Sequence, residues 1–280
     1  GLSSPQVVVN AQYQIEKVYA GDLRGNLWEI NLTGSTASWG VANSGAALFA
    51  AGAGHPITAQ PLLVNHPDGG HMILFGSGKL NEATDKADLT LQTFYGVWDS
   101  ASNSSPVAKA SLQPQSITNE MLINGEKFFT TSTWSVDWAT QKGWYLPLIY
   151  SSVNTGERVI YPAQTTEGRV VFVTAKVDSS DPCQSQGAGR LVELDVLTGA
   201  MLTEPVVDTD GNAVLSEADA VTSGLLLEGG LPGMPVIIDK GDEKPTQTKV
   251  LLLSTGENKF IDERAGASNT SRRIMWRQLQ

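Results

Sequence analysis

Val18-Tyr19-Ala20-Gly21-Asp22, then Leu23-Arg24, then Gly25-Asn26-Leu27-Trp28-Glu29-Ile30-Asn31-Leu32 is the stretch on which the reading of the fold turns. Two runs of β-branched and aromatic residues flank a short break carrying Asp, Gly and Asn, the composition of a strand, a tight turn and a second strand. Similar pairs recur along the chain. Strongly apolar strands that end in small residues are expected at Met72–Gly78, Val170–Ala175 and Val250–Gly256, and following strands at Gln92–Asp99 and Gly189–Asp195. About ten residues ahead of each such strand stands a proline-led start: Ser4-Pro5 before Val7-Val8-Val9, Gln60-Pro61 before Leu62–Val64, Tyr161-Pro162, and Met234-Pro235 before Val236–Ile238. Helical periodicity is scarce, so the chain reads as all-β.

Prolines 5, 61, 162 and 235 lie 56, 101 and 73 residues apart. A plain solenoid does not tolerate such uneven spacing, whereas blades carrying insertions do, so the chain is expected to be a β-propeller with blades starting near residues 5, 61, 162 and 235. Small residues at the strand ends suit the crowding near a propeller axis. A β-sandwich is the competing architecture; its turn signals recur every 8 to 12 residues without the proline-led restart. The long interval is expected to hold an insertion at 101–150, in which Phe128–Trp134 and Gly143–Leu146 read as added strands or an aromatic cover.

With 280 residues and 41% hydrophobic content the chain can bury a large core. A net charge of −10 excludes binding to a phosphate backbone. The longest apolar run, Ala46 to Ala51, is far short of the roughly 20 residues that cross a bilayer as a helix. The start at Gly1, without Met or a signal-peptide pattern, is read as that of a processed or excised portion. One cysteine, Cys183, excludes an internal disulfide or a CxxC motif; an inert thiol, a partner in another segment and a reactive thiol all stay open.

The strongest ligand spacing is Asp208-Thr209-Asp210-Gly211-Asn212-Ala213-Val214-Leu215-Ser216-Glu217-Ala218-Asp219. A twelve-residue calcium loop takes oxygens from positions 1, 3, 5, 7, 9 and 12, here Asp208, Asp210, Asn212, the Val214 carbonyl, Ser216 and Asp219. Ala213 stands where Gly is preferred and Asp219 where a bidentate Glu is usual, so an ordinary Asx-rich loop is the alternative to a Ca2+ site. Trp134, Trp138, Trp144 and Tyr145 are close in sequence; they form either a sugar-stacking platform or packing between neighbouring blades. Catalytic motifs are missing. Gly76-Ser77-Gly78-Lys79 lacks the Ser/Thr and first Gly of a phosphate loop, and His66 and His71 flank a turn without a third ligand. Glu126 and Asp137 have no readable glycosidase separation.

The segment from Val18 to Trp28 resembles the signature of the C-terminal β-propeller of the PilY/PilC type IV pilus adhesin and assembly factors. Collinear matches follow at Pro56–Ala59, Leu74–Gly78, Gln92–Asp99, Gly143–Leu146, Gly156–Val159, Asp181–Cys183, Glu193–Asp195, Gly229–Pro232 and Arg273–Leu279. The resemblance implies that this segment is the last four or so blades of a larger propeller, joined to an upstream part of the same protein. It implies an exported, non-enzymatic protein at the pilus tip, cell surface or outer membrane, acting in pilus assembly and surface adhesion. Its expected partners are pilus tip or minor pilin proteins and a host or surface receptor. It also implies an acidic calcium loop just ahead of Val18; here Asn10 to Glu16 holds Glu16 as its one carboxylate, so that site's ligands are missing. A carbohydrate-binding propeller is the alternative function. A quinoprotein dehydrogenase, suggested by Gly25-Asn26-Leu27-Trp28, is weaker, since a single Cys cannot supply the adjacent cysteines associated with that cofactor.

Overall fold

The computed structural model describes residues 1–100, 106–177, 187–212, 214–239 and 246–264. Among them are twenty strands in four sheets, short 3-10 turns and no α-helix. The first sheet contains β1 (Gln6–Val9), β2 (Ile15–Gly21), β3 (Asn26–Asn31), β4 (Gly40–Val41) and β5 (Phe49–Ala50), in the order β1-β2-β3-β4 with β5 also on β3. The quoted stretch of sequence is its β2–β3 hairpin. Asp22 makes the turn: its carboxylate accepts from the Arg24 and Asn26 N–H groups and from the Trp28 indole, at 2.8 to 2.9 Å.

The second sheet begins with β6 (Leu62–Asn65), β7 (His71–Gly76) and β8 (Thr93–Asp99). The stretch expected as an insertion supplies β9 (Gln113–Pro114), β10 (Ile117–Ile123), β11 (Glu126–Thr131) and β12 (Gly143–Pro147). It is woven into two sheets rather than set apart. β12 pairs antiparallel with β8, and β9 lies parallel beside β12, which satisfies the backbone of β8 on its far side. β10 and β11 instead pair into the third sheet, with β13 (Gln164–Thr166), β14 (Arg169–Val173), β15 (Lys176–Val177), β16 (Gly187–Asp195) and β17 (Gly224–Leu227), in the order β10-β11-β17-β16-β14-β13. The fourth sheet is β18 (Val236–Asp239), β19 (Thr246–Leu252) and β20 (Asn258–Arg264). Strands β1, β6, β13 and β18 start within two residues of Pro5, Pro61, Pro162 and Pro235, although the third sheet also takes in the earlier strands β10 and β11.

Period-two alternation stacks the sheets. Tyr19, Leu27 and Phe49 of the first sheet pack on Ile73, Phe75, Tyr95 and Val97 of the second. The alternate residues Met72, Leu74, Phe94 and Trp98 face Phe129, Val170, Phe172 and Val192 of the third. The opposite face of the third sheet, with Phe128, Val171, Leu191 and Leu225, meets Leu251 and Ile261 of the fourth. Connecting segments then lace the strand ends together. Ile57 N–H donates to Asp22 O and Gly78 N–H to Pro56 O, at 2.8 and 2.7 Å, and Val159 N–H donates to Ser77 O at 3.0 Å while Ala175 N–H donates to Arg158 O. Glycine is required at these crossings: a Cβ on Gly21 would lie 2.2 Å from Ile57, and one on Gly76 2.2 Å from Val159. The small strand ends read from sequence are therefore landing points for the next connection.

Candidate functional site

The loop from Asp208 to Asp219 is anchored at both sides. Val207 bridges to Glu263 on β20, Asp208 N–H donates to Asp262 O, and the Asn124 amide at the β10–β11 turn donates to Thr209 O at 3.1 Å. One oxygen of Asp219 accepts from Thr209 N–H at 2.7 Å and the other from Ser216 N–H at 2.8 Å. Burial works to raise the Asp219 pKa, but the bonds from Ser216, Thr209 and Asp210 prevail and hold it below the usual carboxylate value. Asp208 accepts from Gly211 N–H, Asp210 from Asn212 N–H, and Asn212 from Val214 N–H at 2.6 Å. Ser216 turns its hydroxyl oxygen to Ala218 N–H.

Of the six residues chosen by spacing, Asp208, Asp210 and Asp219 are brought together, with one carboxylate oxygen from each within 4.8 Å of the others. No other group of three or more His, Cys, Asp or Glu ligand atoms converges so among the described residues. A divalent cation offsets the mutual repulsion of three such carboxylates. Asn212 and Ser216 serve as Asx and Ser caps within the loop, and the Val214 side chain is exposed. Ala213 and Cys183 lie outside the described residues.

The aromatic candidates do not form one surface. Trp144 is fully buried, its indole N–H directed to Val196 O and its ring against Gly199. Trp138 packs edge-on to Trp98 and His66. Tyr145 is half-buried beneath the Lys109 ammonium, 5.0 Å from the ring centroid. Trp134, 52% exposed, stands apart. Along a strand, side chains two apart share a face and neighbours do not, so closeness in sequence scattered these rings.

The groups that resemble catalytic fragments are engaged structurally. Ser77 Oγ bonds the backbone of Thr93, Lys79 pairs with Asp85 at 2.8 Å, and His66 Nδ1 accepts from Asp68 N–H while its ring stacks on Trp98. Glu126 pairs with Lys259, and Asp137 caps its own turn through Ala139 and Thr140.

Two buried charge clusters escaped the sequence reading. On the third sheet Arg190 pairs with Glu157 and, at 2.5 Å, with Glu120, beside a cleft of about 310 Å³. Between the third and fourth sheets Lys249 is shared by Glu193, at 2.6 Å, and Glu263, with Arg169 completing the set at 3.2 Å from Glu193. The paired residues lie 14 to 94 positions apart in the chain, from Lys249 with Glu263 to Arg169 with Glu263, and no local motif marks such pairs.

Residues 1–125 match the family described as the PilY1 beta-propeller domain. The chain is 31% identical over 276 residues to the type IV pilus biogenesis factor PilY1 of Pseudomonas aeruginosa strain UCBPP-PA14, covering 80% of this chain and 23% of that protein. It is 29% identical over 253 residues to a PilY1 homolog of Xylella fastidiosa, covering 82% and 17%. The crystal structure of the Pseudomonas aeruginosa PilY1 C-terminal domain superimposes with a TM-score of 0.77 at 24% identity, covering 95% of this chain and 61% of that one. The chain thus spans about a quarter or less of the curated relatives' length.

Proposed function

We propose, from the premise that residues 1–125 belong to the PilY1 β-propeller domain family and that the chain takes the PilY1 C-terminal fold, that the protein serves type IV pilus biogenesis. In this reading it is exported, sits at the pilus or cell surface, and contributes binding and adhesion rather than chemistry. The observation that carries the reading is the 31% identity to a pilus biogenesis factor across 80% of the chain. Supporting the non-enzymatic part, the Ser, His and Lys groups of motif-like appearance are spent on turns, strand ends and ion pairs. Among the described residues no helix is long and apolar enough to cross a membrane. The four sheets are read as successive blades.

The Asp208–Asp219 loop is proposed to hold Ca2+ through Asp208, Asp210 and Asp219, with Asn212, Ser216 and the Val214 carbonyl as further oxygens. The three converging carboxylates fit a hard cation that takes oxygen ligands. Bound calcium would fix the loop between the β10–β11 turn and β20. The reading as a pilus protein is tested by tagging the full-length protein in its own bacterium and probing sheared pili. Recovery in the pilus fraction supports it, and confinement to the cytoplasm overturns it.

A further inference from the structure

At the turn between β6 and β7 stands a histidine whose protonation state is defined by its contacts. His66 is 5% exposed, and its Nδ1 accepts from Asp68 N–H at 3.1 Å. A ring nitrogen that accepts carries no proton, so the imidazole is neutral and its proton sits on Nε2, an atom buried without a hydrogen-bond partner among the described residues. The ring is stacked on Trp98 of β8, centroids 4.2 Å apart, and meets Trp138 edge-on at 4.4 Å. The turn is tied to β8 a second time, because Trp98 Nε1–H donates to Gly69 O at 2.9 Å. Trp138 belongs to the connection from Ser132 to Lys142, which runs from β11 of the third sheet to β12 of the second. Most of that connection is exposed, and Val136 and Trp138 are its apolar contacts with the core. His66 therefore joins three pieces: a hairpin turn, β8 and a connection that crosses between sheets.

A proton on Nδ1 breaks this arrangement at a definite place. Both ring nitrogens of a charged imidazole are donors, so the Asp68 N–H loses its acceptor and faces another N–H. The surroundings do little to hold the charge. Asp68 attracts it, but the Lys142 ammonium already lies over the Trp98 ring, 4.8 Å from its centroid, and repels a second cation on that ring. Of the other titratable groups on the elements packed here, Asp99 is held by Lys17 and the Tyr19 hydroxyl, and Asp137 caps its own turn. His71 is itself pushed toward its neutral form by burial. At His66 burial prevails over the attraction of Asp68 and holds the pKa below the ordinary histidine value. The fold selects the neutral ring, and acid works against it.

We propose that His66 is an acid-sensitive latch: neutral, it clamps the β6–β7 turn and Trp138 onto Trp98, and on taking a proton at Nδ1 it releases both and bares the two indole rings. The proposal stands on these contacts and is independent of the pilus reading. The test is a pH titration of the 280-residue chain by NMR, following the His66 imidazole and the indole Nε1–H groups of Trp98 and Trp138, with far-UV circular dichroism in parallel. At neutral pH His66 is expected as the Nε2–H tautomer. As it titrates, below the ordinary histidine range, the Trp98 indole N–H should shift and exchange faster with water at the same midpoint while the β signal persists. His66→Gln should lose that midpoint and His71→Gln should keep it; the titration of the native chain stands whether or not His66→Gln folds. An Nδ1–H tautomer at neutral pH, indole resonances that stay unchanged while His66 titrates, or a transition that His71→Gln abolishes overturns the proposal. So does loss of the β signal at that midpoint, which would make the event global unfolding.

Discussion

The rings of Phe94 and Phe172 stack with centroids 3.8 Å apart and planes 4° from parallel. Phe94 is on β8 of the second sheet and Phe172 on β14 of the third, 78 residues later by their numbers. Both are fully buried, and Trp144 lies 5.8 Å from Phe94 on the same face. This contact is the centre of the joint on which the middle two sheets depend.

Phe172→Ala removes that centre and leaves a cavity between the sheets. A loss of about 3–5 kcal/mol is expected. Urea unfolding of the native chain and the variant, compared at their midpoints, measures it; a change under about 1 kcal/mol would show that the second and third sheets are not joined there.

Strand positions were legible because alternation and proline-led starts are local signals, and β2, β7, β14 and β16 lie where the apolar runs were read. What lay outside local reach was partnership. Nothing in Ile117–Ile123 or Glu126–Thr131 says that this hairpin leaves the second sheet and joins the third through β11, which pairs with β17 almost a hundred residues later. Likewise Trp144 carries the same label in sequence whether it faces solvent or, as here, the core. At the metal loop, spacing located three carboxylates that converge; the Arg190 and Lys249 clusters had no spacing to find.

The joint between the third and fourth sheets is sensitive to pH. Burial and the neighbouring Glu193 charge push Glu263 up to about 8, while for Glu193 burial is outweighed by Lys249 and Arg169 and its pKa falls. With its folded pKa above its unfolded value near 4.5, Glu263 binds its proton more tightly in the folded state. Its contribution is complete below about pH 4.5 and is lost as pH rises through about 8. The histidines act oppositely: burial lowers His55 and His66, favouring the fold as pH rises through their range. The comparison of melting temperature at pH 5 and pH 8 between the native chain and Glu263→Gln isolates the carboxyl, and the variant should lose the part of the alkaline destabilisation that Glu263 causes.

One face of the fourth sheet is apolar and open. Val236, Ile238, Leu252 and Phe260, the last 67% exposed, alternate with the buried Lys249, Leu251, Ile261 and Glu263. The first sheet likewise exposes Val7, Val9, Ile15 and Val41. Such faces normally mark interaction surfaces, and repeat units bury them against neighbours. The 280-residue chain should self-associate in a concentration-dependent way by sedimentation velocity, and Ile238→Lys with Phe260→Lys should reduce this. A chain that stays monomeric up to high concentration would argue against these faces as docking surfaces.

Calcium should raise the melting temperature of the native chain over its value in chelator, and Asp210→Ala should abolish the difference. With Asp at the last position, affinity on the order of 10⁻⁴ to 10⁻³ M is expected. At ten times the dissociation constant the gain is about 1.4 kcal/mol. Equal calcium responses in both proteins, or none in either, would leave the Asx-turn network as the loop's whole purpose.

If the protein serves type IV pilus biogenesis as proposed, its loss should reduce piliation. Deletion of its gene in the source bacterium, with surface pili counted by electron microscopy before and after restoring the full-length gene, tests this most directly. Pili should fall sharply on deletion and return on restoration. Pilus numbers and pilus-dependent surface attachment that both stay at the parental level after deletion would contradict it.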